Sequence, residues 1–284
     1  MLLCGSALQA QVRVEIVMEQ EQFLRDESLP VRVRILNVSG QTLELGQDND
    51  WLTFRVEGGD GRTVHSLGAV PVKEPYTLES SKSALRLVDL LPYFEVNIPG
   101  RYSVTAIVKI KEWNQEFVSK PKTFDIIPGF KLWEQEFGVP GSKGAPEVRK
   151  YILQQAQYMK RLMLYVRIAD ATDTIVYRVL PVGQMISFSK PECKLDKESN
   201  LHVLSQFGGW SFIYMVISPE GQILVRHYYE YTTTRPGLKG TDDGNVLVAG
   251  GLRRVTANDF PPPPPETSKT NEPPKSGGSL EPKK

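Results

Sequence analysis

Val31-Arg32-Val33-Arg34-Ile35-Leu36 places an apolar side chain at every second position, and Val12-Arg13-Val14-Glu15-Ile16-Val17 does the same. Successive side chains of an extended chain point to opposite faces, so this pattern builds strands with one dry face and one wet face. Runs of the same character recur at 42–45, 52–56, 63–67, 84–87, 102–111 and 117–127, with Gly, Asn, Asp and Pro between them. Short strands at this spacing predict an antiparallel sandwich. The stretches Asn37-Val38-Ser39-Gly40 and Gly58-Gly59-Asp60-Gly61 supply residues that tolerate positive φ in the connecting turns.

A family likeness follows from two of these stretches. Leu24-Arg25-Asp26-Glu27-Ser28-Leu29-Pro30-Val31, continued by Val33, Ile35, Asn37, Leu43 and Leu45, resembles the second and third strands of bacterial immunoglobulin-like domains. Ile98-Pro99-Gly100-Arg101-Tyr102-Ser103-Val104-Thr105-Ala106 resembles their late strand, which opens on a Pro-Gly turn and a tyrosine. The resemblance covers residues 11–128 and lacks the paired cysteines of antibody domains. It implies a sandwich in which the tyrosine crosses a corner and bonds backbone with its hydroxyl. It speaks for adhesion, spacing or display, and for architecture more than activity.

Residues 129–146, with Gly138, Pro140, Gly141, Gly144 and Pro146, read as a linker between two domains. In the segment 147–163, Val148, Tyr151, Ile152 and Gln155 suit a helix, whereas Tyr151-Ile152-Leu153 suits a strand. The propensity of Leu153-Gln154-Gln155-Ala156-Gln157 favours the helix. A weak repeat follows. Leu164-Tyr165-Val166, Leu201-His202-Val203 and Val246-Leu247-Val248 lead three similar units, at intervals of roughly 40 residues that fit a four-stranded blade. Asn200-Leu201-His202-Val203 with the turn Ser218-Pro219-Glu220-Gly221-Gln222 resembles a blade of a secreted β-propeller of the sialidase-like or quinoprotein-like kind. So few units cannot close a ring. The expected architecture is therefore all-β: an immunoglobulin-like sandwich over 11–128 and a blade-like antiparallel sheet domain over 147–260, the latter an isolated sandwich rather than an incomplete propeller.

The 284 residues carry 34 basic and 33 acidic side chains, and a net charge of +1 provides no field to hold a polyanion. Nucleic acid is not an expected partner. The two cysteines, Cys4 and Cys193, are too few for a disulfide framework, and Cys193 reads as a buried, inert thiol. Residues 1–10 read as the remnant of an export segment, which predicts a periplasmic or secreted protein; a cytoplasmic chain opening on a short apolar strand is the alternative. No other stretch approaches a membrane span. Residues 261–284 open on five consecutive prolines, Pro261 to Pro265, and read as a disordered spacer beginning with a polyproline II rod.

No catalytic, cofactor-binding or metal-ligating set emerges. His65, His202 and His227 lie far apart and show no ligand spacing, and His202 occupies the strand position that Tyr165 fills in the first unit. There is no Gly-x-Ser-x-Gly turn and no phosphate-cradling loop. The aromatics offer more. Trp210, Phe212 and Tyr214 share one strand face, and Tyr229 and Tyr231 share another; most of such a stripe packs a core. The remainder, with Arg235, Arg253 and Arg254 nearby, forms a candidate binding patch, for which Trp210, Phe212, Tyr214, Tyr229, Tyr231 and Arg235 are chosen. The expected function is a non-catalytic exported binding or scaffold protein of the cell envelope. It would hold a protein or glycan partner through sheet edges and exposed aromatics, without a cofactor. The rival is a carbohydrate-active or other hydrolytic enzyme with carboxylates among Asp170, Asp173 and Glu230 in an interdomain cleft. A third reading is a structural component whose partner is itself; the oligomeric state stays open.

Overall fold

A computed structural model describes residues 11–139 and 147–262. It is all-β, and its only helical elements among the described residues are single 3-10 turns at Leu91–Tyr93 and Lys111–Trp113. The first half contains β1 (Val12–Val17), β2 (Gln22–Leu24), β3 (Pro30–Asn37), β4 (Leu43–Leu45), β5 (Leu52–Gly58), β6 (Tyr76–Leu78), β7 (Ser83–Asp89), β8 (Gly100–Ile110), β9 (Gln115–Val118) and β10 (Lys122–Ile127). The second half contains β11 (Phe130–Gly138), β12 (Val148–Tyr158), β13 (Arg161–Asp170), β14 (Val176–Gln184), β15 (Glu192–Leu195), β16 (Leu201–Gln206), β17 (Ser211–Ile217), β18 (Ile223–Glu230), β19 (Gly237–Gly240), β20 (Val246–Ala249) and β21 (Leu252–Arg254).

The first half is a two-sheet sandwich. Sheet β1-β3-β7 faces sheet β2-β10-β8-β5, and β9 extends β8. The chain changes sheets after β1, so that β2 runs parallel to β10 while every other described pair is antiparallel. Alternation in the sequence becomes alternation in burial: Val31, Val33 and Ile35 of β3 are wholly buried, and they meet Leu52, Val104, Ala106 and Val108 from the facing sheet. Burial of each such side chain contributes about 1.5–3 kcal/mol. Tyr102 stacks on Phe124, with ring centroids 5.6 Å apart, and its hydroxyl donates to the Ile98 carbonyl at 2.7 Å. That is the corner bond expected of it. Two of the expected strands differ. Residues 63–67 form only isolated bridges, and the run 117–127 breaks at Pro121, which cannot donate to a ladder, into β9 and β10.

The second half is also a sandwich, made of two meanders. Sheet β11-β12-β13-β14 packs on sheet β15-β16-β17-β18-β21 through Tyr151, Leu153, Leu164, Val166 and Ile168 on one side and Leu201, Val203, Ile213, Met215 and Ile217 on the other. Tyr151 stacks on Phe137 at 4.2 Å, and its hydroxyl reaches across to the Ser199 and Ile217 carbonyls at 3.1 and 3.3 Å. The first two repeat units are thus strands of opposing sheets. The third, at 246–248, is not a further blade: β19 and β20 form a separate hairpin, and Leu238, Val246 and Val248 pack on the outer face of β16 and β17.

Two sequence-based expectations are corrected here. The segment 147–163 is not helical; β12 is the central strand between β11 and β13, and residues 151–154 are buried in succession. Ladder bonds on both sides and apolar cover on both faces override the helix propensity of its glutamines. The linker expected at 129–146 is in large part β11, which pairs with β12 along its whole length, so only Pro128 and Gly129 separate β10 from the next strand. The export segment at 1–10, residues 140–146 and the tail beyond residue 262 lie outside the described residues.

The two sandwiches touch. Leu24 and Ile127 of the first pack against Ala156, Met163, Tyr165 and Val179 of the second. Arg167 pairs with Asp26 at 2.7 Å, and the Met159 amide donates to Gln22 at 2.7 Å. Arg167 is 11% exposed, and its removal leaves Asp26 with the longer 3.5 Å contact to Arg25. Replacing Tyr102 by Phe should cost about 1 kcal/mol of stability to urea with an unchanged m-value, and Arg167→Ala roughly 1–3 kcal/mol. Equal denaturation midpoints for the variants and the parent chain would show that neither bond holds the fold.

Candidate functional site

The residues singled out in the sequence lie on the outer face of β17 and β18 and in the loops at their end, and they fall into two groups. Phe212, Tyr214 and Tyr229 lie under the β19–β20 hairpin, with Tyr214 and Tyr229 edge to face at 6.2 Å. Phe212 and Tyr214 are buried and Tyr229 is half-buried against them, so the choice of Phe212 and Tyr214 as binding residues is corrected and Tyr229 is only partly available. The hairpin cover, which no local pattern announces, converts an outward strand face into an inward one. Trp210, Tyr231 and Arg235 remain at the end of the sheet beyond the hairpin, where Trp210 stands in the loop before β17 rather than in line with Phe212 and Tyr214.

Hydrogen bonds hold this end in shape. The Tyr231 amide donates to the Trp210 carbonyl at 2.7 Å, the Gln206 side chain donates to the Gly209 carbonyl at 2.8 Å, and the Ile186 amide donates to the Gln206 carbonyl at 3.1 Å. The last bond ties the loop 185–191 to the β16–β17 turn. Arg235 donates to the Ser189 hydroxyl at 3.2 Å and lies 5.3 Å above the centroid of the Phe212 ring, a cation–π placement. Trp210 and Tyr231 tilt towards each other at 5.3 Å.

The result is an open hollow of about 430 Å³ between Phe188, Lys190, Trp210, Tyr231 and Arg235, with Phe212 beneath. Phe188 is 82% exposed and Trp210 62%. Lone exposed apolar residues are ordinary, but two large rings standing together beside two cations form a patch. Phe188, Ser189, Lys190 and Gln206 were not among the residues chosen from the sequence. The available signal was a single aromatic inside the polar, proline-ended run Ser187-Phe188-Ser189-Lys190-Pro191.

A second polar constellation lies beneath the hairpin. His202 places Nδ1 2.7 Å from the Tyr214 hydroxyl and Nε2 3.1 Å from Asp196, and Asp196 also accepts from the Asn200 amide and side chain and from the Glu198 amide. Burial opposes ionisation of Asp196, yet the bonds from Asn200 and His202 together hold its carboxyl below the usual carboxylate range. Burial pushes the Tyr214 hydroxyl up to about 12. These bonds satisfy the polar groups of His202, Tyr214 and Asp196 in a largely covered place. Cys193 packs against the second core, and burial, reinforced by the Glu192 charge, pushes its thiol up to about 12, which keeps it protonated and unreactive at neutral pH.

The carboxylates of the rival reading are separately engaged. Asp170 caps its own turn through Thr172 and the Ile175 amide, Asp173 pairs with Arg167 at 3.1 Å, and Glu230 pairs with Arg254. Asp173 borders a cleft of about 330 Å³ between the sandwiches, which also contains Asp26, but Arg167 lies between the two acids and bonds both. Among the described residues, no three His, Cys, Asp or Glu side chains gather as a metal site, and no helix is long and apolar enough to cross a membrane. No protein-family model matches the sequence, and no curated protein is significantly similar to it.

Asp196 ties acid stability to this buried chain. Its carboxyl sits below the unfolded value, so its contribution is complete above about pH 4 and is lost as pH falls through the folded value. Asp196→Asn should therefore lower the thermal midpoint at pH 7, and the gap to the parent chain should close in acid. A gap of constant size from pH 7 to pH 2 would show that the ionised carboxylate adds nothing.

Proposed function

We propose that this chain is a non-catalytic binding protein, exported to the cell envelope, that holds a glycan or protein partner on the Phe188–Trp210–Tyr231–Arg235 hollow. The observation that carries this reading is the exposure of Phe188 and Trp210 on a hydrogen-bonded frame. A ring held in water by structure is prepared to stack on a sugar face or an apolar side chain, because its desolvation is repeated at every binding event without a cost in reordering. Arg235, Lys190 and Gln206 supply donors around the rings. The hollow is shallow, as fits a surface reader of an extended partner rather than an enclosing enzyme pocket. Export is supported by the apolar character of residues 1–10.

Intrinsic fluorescence gives a direct test, because Trp51 is buried, Trp113 and Trp133 are half-buried, and Trp210 alone of the four tryptophans is exposed. Titration with soluble envelope oligosaccharides and with purified envelope proteins should shift the emission to the blue for the true partner class. Trp210→Ala should abolish the shift and weaken binding roughly tenfold or more, as expected of an aromatic anchor, while leaving the thermal midpoint unchanged. Binding that survives Trp210→Ala and Phe188→Ala together, or hydrolysis of a bound glycan that Asp173→Asn abolishes, would overturn the reading. Recovery of the full-length product from the cytosol would remove the envelope from it.

A further inference from the structure

Strand β1 ends its three-stranded sheet, and no described residue pairs with its outer side. The Gln11 carbonyl accepts the Val38 amide at 2.9 Å, which sets the phase of the ladder. Arg13, Glu15 and Val17 therefore turn their main-chain groups towards β3, and Val12, Val14 and Ile16 turn theirs outward. These outward groups open into a groove of about 970 Å³, lined by the whole of β1 and by Glu116, Phe117, Val118 and residues 120–122 opposite. Edges of this kind are normally blunted by proline, lysine, a bulge or an inward-pointing charge. β1 has none of these; its register is unbroken, and Arg13 and Glu15 are exposed on the outer face.

We propose that β1 is a self-pairing edge, at which two copies of this chain join antiparallel about a twofold axis through Val14, fusing their three-stranded sheets into one. The order of residues selects both the partner and the register. Pairing the free main-chain groups with one another sets Val14 opposite Val14 and Val12 opposite Ile16 of the second copy. Arg13 then falls opposite Glu15 of the second copy, in the non-hydrogen-bonded position where facing side chains approach most closely. The twofold repeats that pair, so both facing pairs are complementary. A slip of two residues sets Arg13 against Arg13 in one direction and Glu15 against Glu15 in the other. Charge thus rejects the neighbouring registers, and a foreign strand without this Arg-x-Glu order lacks the match. The proposal does not depend on the aromatic hollow.

Sedimentation of the full chain under reducing conditions, which exclude a bridge through Cys4 or Cys193, tests it. The expected result is a concentration-dependent dimer that Trp210→Ala leaves unchanged. Arg13→Glu should weaken the dimer roughly tenfold, because both facing pairs become like charges. Glu15→Arg should do the same, and an equal mixture of the two variants should recover a dimer with one of each chain, since every facing pair is then of opposite sign. Glu15→Arg also faces Arg34 of its own sheet, so amide exchange on the unaltered chain supplies an independent reading. The amides of Val12, Val14 and Ile16 should gain protection as concentration rises. A chain that is monomeric at every concentration, a dimer indifferent to Arg13→Glu, or fast exchange at those amides in the dimer would each overturn the proposal.

Discussion

Strands β16 and β17 are buried on both faces, and the second half of the molecule is organised around that constraint. Their inner side chains fill the gap to β12 and β13, and their outer ones lie beneath the β19–β20 hairpin. A sheet covered twice has no wet face on which to leave a polar group, so each polar group there needs an internal partner. His202, Tyr214 and Asp196 partner one another, whereas the Ser205 hydroxyl of β16 is buried without a partner among the described residues. The same constraint locates the exposed hollow. Cover ends at Arg235, ahead of β19, and beyond it Trp210, Tyr231 and Phe188 emerge on a frame still fixed by the buried strands.

The two sandwiches are held together by a compact apolar seam with one ionic contact beside it. Leu24 and Ile127 meet Tyr165 and Val179, and Arg167 spans the margin to Asp26. The connection between β10 and β11 is only Pro128 and Gly129, too short for independent tumbling, and Gly129 lies against the Gln154 and Leu24 side chains. The ionic contact also determines the chemistry of the cleft. Arg167 pairs with both Asp26 and Asp173, and Glu95, the third acid bordering that cleft, accepts from the Asn97 side chain.

Two surfaces with different physics thus face the surroundings. The aromatic hollow offers dispersion and stacking to a partner of loose shape. The β1 edge offers main-chain bonds in a fixed order with charges that select the register. Under the two proposals, their separation on different sandwiches would let one chain assemble with its own kind while presenting rings to something else.

Period-two alternation with turn residues between the runs made most strands of the first sandwich legible: Val31, Val33 and Ile35 face inward because one face of β3 is wet, while the Tyr102 corner bond was an implication of the family resemblance. The all-β class was legible in the same way. The second sandwich was less legible because its central strands are covered on both faces. That erased the alternation in β12, gave its glutamines the look of a helix, and made Phe212, Tyr214 and Tyr229 seem available. Only tertiary packing decided that the third repeat lies as a cover on the second, that residues 130–138 pair as a strand, and that Phe188 joins Trp210. Each depends on contacts between residues distant in sequence, and a side chain's own neighbours along the chain carry no record of what will be laid over it.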